Sequence, residues 1–280
     1  MNMPEGQNPG PFLRGGEFYS PVETRLRTED VLLSQLRQPC SRKVQRHEHE
    51  LAYVTVVLHG DYLEGDRRLE ELRPMTAVFN PSGVRHETVI GPAGASLFTI
   101  ELRDEPMRQL GIRLPLQTES DRGAGAMLWP GLRLYSAFKT QTTDPLVLES
   151  HVMELLGSIV GSAPKERSAP WWLGRVKEHM HQEFRDSIRM RDLAGDAGVH
   201  PVHLARVFRV QEGRTPGDYL QQLRVRAACH LLRGEDYPLA SVAAECGFTD
   251  QSHFTRVFRK LTGTTPSQFR RAISPITVAA

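Results

Sequence analysis

"HPVHLARVF" fills residues 200–208 and "QSHFTRVF" residues 251–258, so one chain spells Arg-Val-Phe twice. Each copy leads into a glycine, one further residue and Thr-Pro: Gly213-Arg214-Thr215-Pro216 and Gly263-Thr264-Thr265-Pro266. In the other direction, Leu193-Ala194 precede Gly198 and Val242-Ala243 precede Gly247, and an apolar residue follows each glycine, Val199 or Phe248. The pattern predicts helix, glycine turn, helix, written twice. Glycine suits a turn of positive φ, where a β-carbon is costly, and the small Ala194 and Ala243 let two helices approach closely. An αα-hairpin of this kind is the general motif of which the helix-turn-helix is the DNA-reading form.

The second helix of each unit opens on a cap. Asp250 stands at the N-cap place ahead of Gln251 and Ser252. In the first unit His200 takes that place with Pro201 at N1, where proline is favoured; histidine is a poor cap, so this helix start is expected to be the weaker. Leu204, Val207 and Phe208 are expected to point inward, as are Phe254, Val257, Phe258 and Leu261. The outer faces then carry Val202, His203, Arg206 and Arg209, and Gln251, Ser252, Thr255, Arg256 and Arg259. Arginine pairs with guanine and glutamine with adenine, while valine packs on a thymine methyl. A solvated face explains either helix alone; two such faces with matching arginines point to nucleic acid. Between the units, Leu220, Leu223, Ala227 and Leu231 fall at helical spacing. They predict one joining helix of about five turns, a strut able to hold two reading helices about 34 Å apart.

The rest of the chain is different. Residues 1–20, rich in Gly and Pro, read as a loose arm. Residues 22–102 are strand-like, with LAYVTVVL (51–58), TAVFNPSG (76–83) and ASLFTIEL (95–102), and HGD (59–61) and EGD (64–66) read as turns. PLVLESHVMELLGSIVG (145–161) repeats Leu146, Leu148, Val152, Leu155, Leu156 and Ile159 at helical spacing. SAPKERSAP (162–170) lacks apolar periodicity and reads as a linker. The expected fold class is α+β: a strand-built barrel or sandwich over 1–105, a helical segment over 106–161, the linker, and an all-α tandem helix-turn-helix domain over 171–275.

Length and composition agree with two globular domains: 280 residues, 39% hydrophobic and 24% charged. No apolar run approaches the roughly 18 residues of a membrane-spanning helix, and the N-terminus lacks the apolar core of a signal peptide. Cys40, Cys229 and Cys246 are scattered and fit buried thiols in a reducing cytoplasm. The three tryptophans, Trp129, Trp171 and Trp172, read as packing residues, and His151, His179 and His181 as partnerless surface positions. Net charge is +2, but residues 171–280 hold 16 Lys+Arg against 11 Asp+Glu, leaving 19 against 22 in residues 1–170. The basic half is the one with the doubled motif.

Residues 171–275 resemble the C-terminal DNA-binding domain of AraC/XylS-type transcription regulators. The resemblance is carried by LAGDAGVHPVHLARVFRVQEGRTPGDYLQQLR and by LASVAAECGFTDQSHFTRVFRKLTGTTPSQFRR. It implies double-stranded promoter DNA and RNA polymerase as partners, and activation more than repression. It also implies base reading by Val202, His203, Arg206, Gln251, Ser252, Thr255 and Arg256. Phosphate contacts would fall to Arg209, Thr215, Arg259, Lys260 and Thr265. His200, where Ser is usual, departs from the pattern.

RHEHELAYVTVVLHGDYLEG (46–65) and FNPSGVRHE (79–87) resemble the cupin-like sensor barrel that often precedes such a domain. His47, His49 and His86 match its three metal-binding histidines, whereas its carboxylate falls at Tyr53 or Val54 and is missing. Three imidazoles suit Zn, Fe or Ni; the other reading makes them polar liners of a pocket for a small-molecule effector. Glu48, Glu50 and Glu87 are expected on the opposite strand faces, and FLRGGEFYSP (12–21) over the cavity mouth. The 145–161 helix is read as a dimer contact. The leading expectation is therefore a cytoplasmic, effector-responsive homodimeric regulator and not an enzyme. The alternative is a cupin metalloenzyme or metal sensor fused to a DNA-binding domain.

Overall fold

The computed structural model describes residues 11–66, 68–109, 112–115, 119–120, 126–141, 144–161, 169–233 and 237–273. Most of the linker, the sequence before Pro11 and the end beyond Ile273 lie outside them. The chain divides into two compact units, Met1–Ala163 and Pro164–Ala280.

The first unit begins with strands β1 (Phe12–Leu13), β2 (Val22–Arg27), β3 (Val31–Gln38), β4 (Arg42–His49) and β5 (Ala52–Gly65). Then come β6 (Glu70–Glu71), β7 (Thr76–Asn80), β8 (His86–Leu102), helix α1 (Asp104–Gln109) and β9 (Glu119–Ser120). Two helices end it, α2 (Leu128–Lys139) and α3 (Pro145–Gly161). The strands form one curled sheet, a half-barrel, in the order β1-β4-β8-β5-β7-β9, with β3 pairing β8 and β2 pairing β3. β5 and β8 are its long central pair, and both bend. HGD, expected as a turn, is a bulge inside β5: register shifts fall between Val57 and His59 and between Gly60 and Tyr62. Gly60 has φ 94°, and a β-carbon there would meet Ala95 Cα at 2.7 Å, so only glycine lets the two strands cross this closely. The inner side buries Leu36, Val57, Tyr62, Leu72, Val78, Ile90 and Leu97.

The arm is tied down from Phe12 to Tyr19. β1 pairs with β4, Gly15 N–H donates to Glu50 (3.0 Å), and Gly16 N–H donates to both oxygens of buried Glu101 (2.9 and 3.1 Å). Burial lifts the Glu101 carboxyl to about 7, while the Gly16 N–H and the nearby Arg25 guanidinium pull the other way. α3 buries Leu148, Val152, Leu155, Leu156 and Ile159, but Leu146 is 71% exposed: two residues before Leu148, it falls on the opposite side of the helix.

The second unit is helical: α4 (Trp171–Gln182), α5 (Met190–Ala197), α6 (Pro201–Glu212), α7 (Pro216–Leu231), α8 (Leu239–Glu245), α9 (Gln251–Thr262) and α10 (Pro266–Ile273). The joining helix α7 contacts α6, α8 and α9. It therefore buries residues on more than one side: Tyr219, Leu223, Val225, Ala228 and Cys229 are covered, whereas Leu220, Ala227 and Leu231 of the expected single stripe are half-buried. Among the tryptophans, Trp129 and Trp172 are buried but Trp171 is 72% exposed, with Arg175 over its ring. Cys40 is exposed, and Cys229 and Cys246 are buried. His179 and His181 are not partnerless: His179 meets Asp196 and Glu183, and His181 Nε2 lies 2.9 Å from the Tyr219 hydroxyl.

Candidate nucleic-acid interface and a buried histidine cluster

Each copy of the repeated sequence builds the same local device. The turn glycines adopt positive φ, 66° at Gly198 and 75° at Gly247. The hairpins α5–α6 and α8–α9 then close on buried Ala194, Leu204 and Phe208, and on Ala243, Phe254 and Phe258. Asp250 caps α9 by accepting from His253 N–H at 2.7 Å. His200 does cap α6, its Nδ1 accepting from Val202 N–H at a longer 3.3 Å. The Gly-x-Thr-Pro repeat is helix punctuation. Gly213 (φ 70°) and Gly263 (φ 78°) end α6 and α9 in left-handed geometry, Thr215 and Thr265 are N-caps, and Pro216 and Pro266 open α7 and α10. Thr215 Oγ1 accepts from Asp218 N–H and donates to its carboxylate, and Thr265 makes the same exchange with Gln268. Both hydroxyls, expected at phosphates, are thus committed to capping; what these positions offer an anion is a helix N-terminus.

The expected base readers stand on the outer faces. Val202 is 70% exposed, and His203 and Arg206 lie beside it, with Arg209 a turn further on. His203 leans toward buried Trp172, with ring centres 6.1 Å apart. On α9, Gln251, Ser252, Thr255, Arg256, Arg259 and Lys260 line a single open depression together with Thr265. Thr255 Oγ1 donates to the Gln251 carbonyl at 2.8 Å, and Lys260 Nζ lies 4.0 Å from Asp218 at the start of α7.

Sequence reading missed a brace that ties the α4–α5 connection, just ahead of the first hairpin, to α7 and to the turn of the second hairpin. Arg224 of α7 donates to the carbonyls of Phe184 and Asp186, 2.8 Å each. The segment so held lies against Gly247, where a β-carbon would sit 2.8 Å from Arg185 C.

In the sheet unit, His47 and His49 from β4 and His86 from β8 come together, their ligand atoms within 4.8 Å of one another and each side chain buried. Burial, then the neighbouring imidazoles, pushes His47 down to about 4 and His49 to about 2, so both are neutral near pH 7. Phe18 and Tyr19 of the arm pack on the rings of His49 and His47. Glu48 and Glu50 turn away, to Arg85 and the arm, and Glu87 toward Lys43. Tyr53, at the place of the missing carboxylate, puts its hydroxyl 3.0 Å from His86 Nε2. A carboxylate is nonetheless present: buried Glu64 lies 3.7 Å from the same nitrogen.

Paired hairpins on a shared rod, each with an exposed polar helix, define a tandem helix-turn-helix protein. A family model described as a helix-turn-helix domain matches residues 193–272. PqrA of Proteus vulgaris, described as a "probable transcription factor", is 34% identical over 85 residues, 30% of this chain and 70% of PqrA. The HTH-type transcriptional regulator YijO of Escherichia coli is 29% identical over 124 residues, 44% of this chain; the chain spans only 43% of YijO. YfiF of Bacillus subtilis, also an HTH-type transcriptional regulator, is 25% identical over 247 residues, 80% of this chain and 78% of YfiF. The chain belongs to the AraC/XylS-type family of helix-turn-helix transcription regulators. Among the described residues no helix is long and apolar enough to cross a membrane.

Proposed function

We propose that the chain is a sequence-specific, promoter-binding transcription activator of the cytoplasm. α6 and α9 enter major grooves, with Val202, Arg206, Gln251, Ser252 and Arg256 at base edges and His203 and Thr255 beside them. Arg209, Arg259, Lys260 and the N-termini capped by Thr215 and Thr265 contact phosphate. The observation that carries this reading is the α9 face, where two arginines, a lysine, a glutamine and two hydroxyls share one depression with the N-cap of α10 and no acidic side chain is among its lining. Direct readout needs such a set of donors and acceptors at a groove. RNA polymerase is the downstream partner, and the chain performs no catalysis of its own.

A homodimer fits the outer stripe of α3. Leu146, Ser150, Met153, Gly157 and Val160 are all exposed and recur at four- and three-residue intervals, a coiled-coil seam with two small members. For an organic effector, the space of suitable size is a cleft of about 610 Å³ between the β2–β3 hairpin and the α2–α3 pair. Footprinting on DNA upstream of the neighbouring genes tests the whole reading. Protection should fall on two patches about one helical turn apart on one side of the duplex, and Arg206→Ala should disturb one patch and Arg256→Ala the other. Protection that survives both substitutions unaltered refutes it.

A further inference from the structure

Between the β2–β3 hairpin and the α2–α3 pair lies a cleft of about 610 Å³, whereas the space among the histidines inside the curled sheet measures about 40 Å³. Pockets for organic ligands begin at ~300 Å³, so of the two only the cleft can take one. Its floor is apolar: Leu26 from β2, Phe138 from α2, and Leu148 and Val152 from α3. Its rim is not. Glu29 and Asp30 stand at the hairpin tip and Glu149 on α3, so three carboxylates edge one opening.

Arg25 and Arg27 also line the cleft, and the strand pairing decides where their charge goes. Arg25 lies opposite Ser34, Arg27 opposite Leu32 and Leu26 opposite Leu33, so both arginines share one side of the hairpin and Leu26 takes the other. The arginine side is the arm's. Arg25 donates to the Gly16 carbonyl and, at 3.4 Å, to Ser34 Oγ, and its guanidinium acts on the Glu101 carboxylate. The other side faces α2, where Lys139 Nζ donates to Gln35 at 3.2 Å. At the tip, Arg103 donates to the Thr28 and Glu29 carbonyls (3.4 and 2.5 Å). Among the described residues no ion pair neutralises Glu29, Asp30 or Glu149.

We propose that this cleft binds an organic cation with an apolar body, such as an aromatic amine or a quaternary ammonium ion. The proposal rests on the reading of the cleft as the effector site and adds the class of effector. The floor takes the body, and the Phe138 ring adds the attraction of an aromatic face for a cation. The carboxylates take the charge, because low-dielectric walls focus the field of the charged groups that line a cleft. A neutral ligand of the same shape leaves that field unused, and an anion opposes it.

The full chain, free of DNA, is titrated calorimetrically with tetraphenylphosphonium and, separately, with tetraphenylborate, which share one shape and differ in the sign of their charge. One phosphonium per chain is expected, bound about tenfold or more tightly than the borate. Glu149→Arg should weaken the phosphonium about tenfold and narrow or reverse the preference; Glu149 is exposed, so the variant keeps its fold. Leu26→Trp, with the parent's melting transition retained, fills the cleft and should abolish binding of both ions. Borate bound as tightly as phosphonium, or a phosphonium affinity unchanged in Glu149→Arg, overturns the cationic class; where Leu26→Trp still removes that binding, the effector cleft itself stands. No binding of either ion, or binding indifferent to Leu26→Trp, overturns the class and the cleft together. Operator binding by the same preparation is read separately, so failure here leaves the DNA-binding reading standing.

Discussion

Replacing Gly247 with alanine should cost far more than the same change at Gly198, although the two glycines occupy equivalent places in the repeat. Both have positive φ, and a residue with a β-carbon in that region costs about 1–2 kcal/mol. At Gly198 the added methyl meets nothing within 4 Å, so the cost stops there. At Gly247 it would lie 2.8 Å from Arg185 C and 2.9 Å from Arg185 Cα, with the carbonyl oxygen nearer still. Those are backbone atoms, and the Phe184 and Asp186 carbonyls on either side are held by Arg224. Yielding would sacrifice at least one hydrogen bond to a charged group, about 1.5–3 kcal/mol. The sum is about 2.5–5 kcal/mol for Gly247→Ala against about 1–2 for Gly198→Ala. For a domain of ordinary stability, about 5–15 kcal/mol, the larger loss is severe. Urea unfolding followed by hydrogen exchange of peptides covering 184–186 and 239–262 measures both losses and locates them. Equal losses in the two variants would refute the brace between the α4–α5 connection and the second hairpin.

Arg256→Ala should relax base choice at one position and cost about 1–3 kcal/mol, read by gel shift across a set of operator variants. Arg259→Ala should instead weaken all DNA sequences alike and reduce the salt dependence of binding by about one charge, read from affinity against salt concentration. In the metal-free chain, folded His47 and His49 titrate at about 4 and 2, below the ordinary 6.5. The unfolded chain therefore binds more protons between these values, and the sheet unit should lose stability as pH falls from 6.5 toward 4, a slope that His47→Gln diminishes. Glu101 has the opposite sign: raised from 4.5 to about 7, it holds its proton longer when folded, so its contribution is present below 4.5 and is lost as pH rises through 7. Glu101→Gln, which keeps an acceptor for Gly16 N–H, should raise the melting temperature more at pH 8 than at pH 5. Met153→Glu with Val160→Glu should shift the chain toward monomer in sedimentation, leaving the monomer's fold intact because both side chains point outward.

The DNA-binding unit was legible in the sequence because its determinants are local. A cap, a turn glycine and an apolar stripe each act within a few residues of themselves, and writing them twice made the pattern unmistakable. Even the weak cap at His200 could be anticipated from the residue type. The places of Thr215 and Thr265 could be read from the repeat, whereas their reciprocal exchanges with Asp218 and Gln268 depend on side-chain geometry at the helix starts.

The sequence alone therefore determined the tandem helical hairpins, their outward residues and the three histidines that share one strand face or its neighbour. Tertiary structure decided what depends on partners distant along the chain. It selected Arg224 as the brace against the loop beside Gly247, made α7 a rod covered on several sides, and strapped the arm to Glu101. It also carried Glu64 inward, because a single inserted residue in a strand exchanges inside for outside for everything after it, and no count along the chain reveals the insertion until the opposing strand fixes the register.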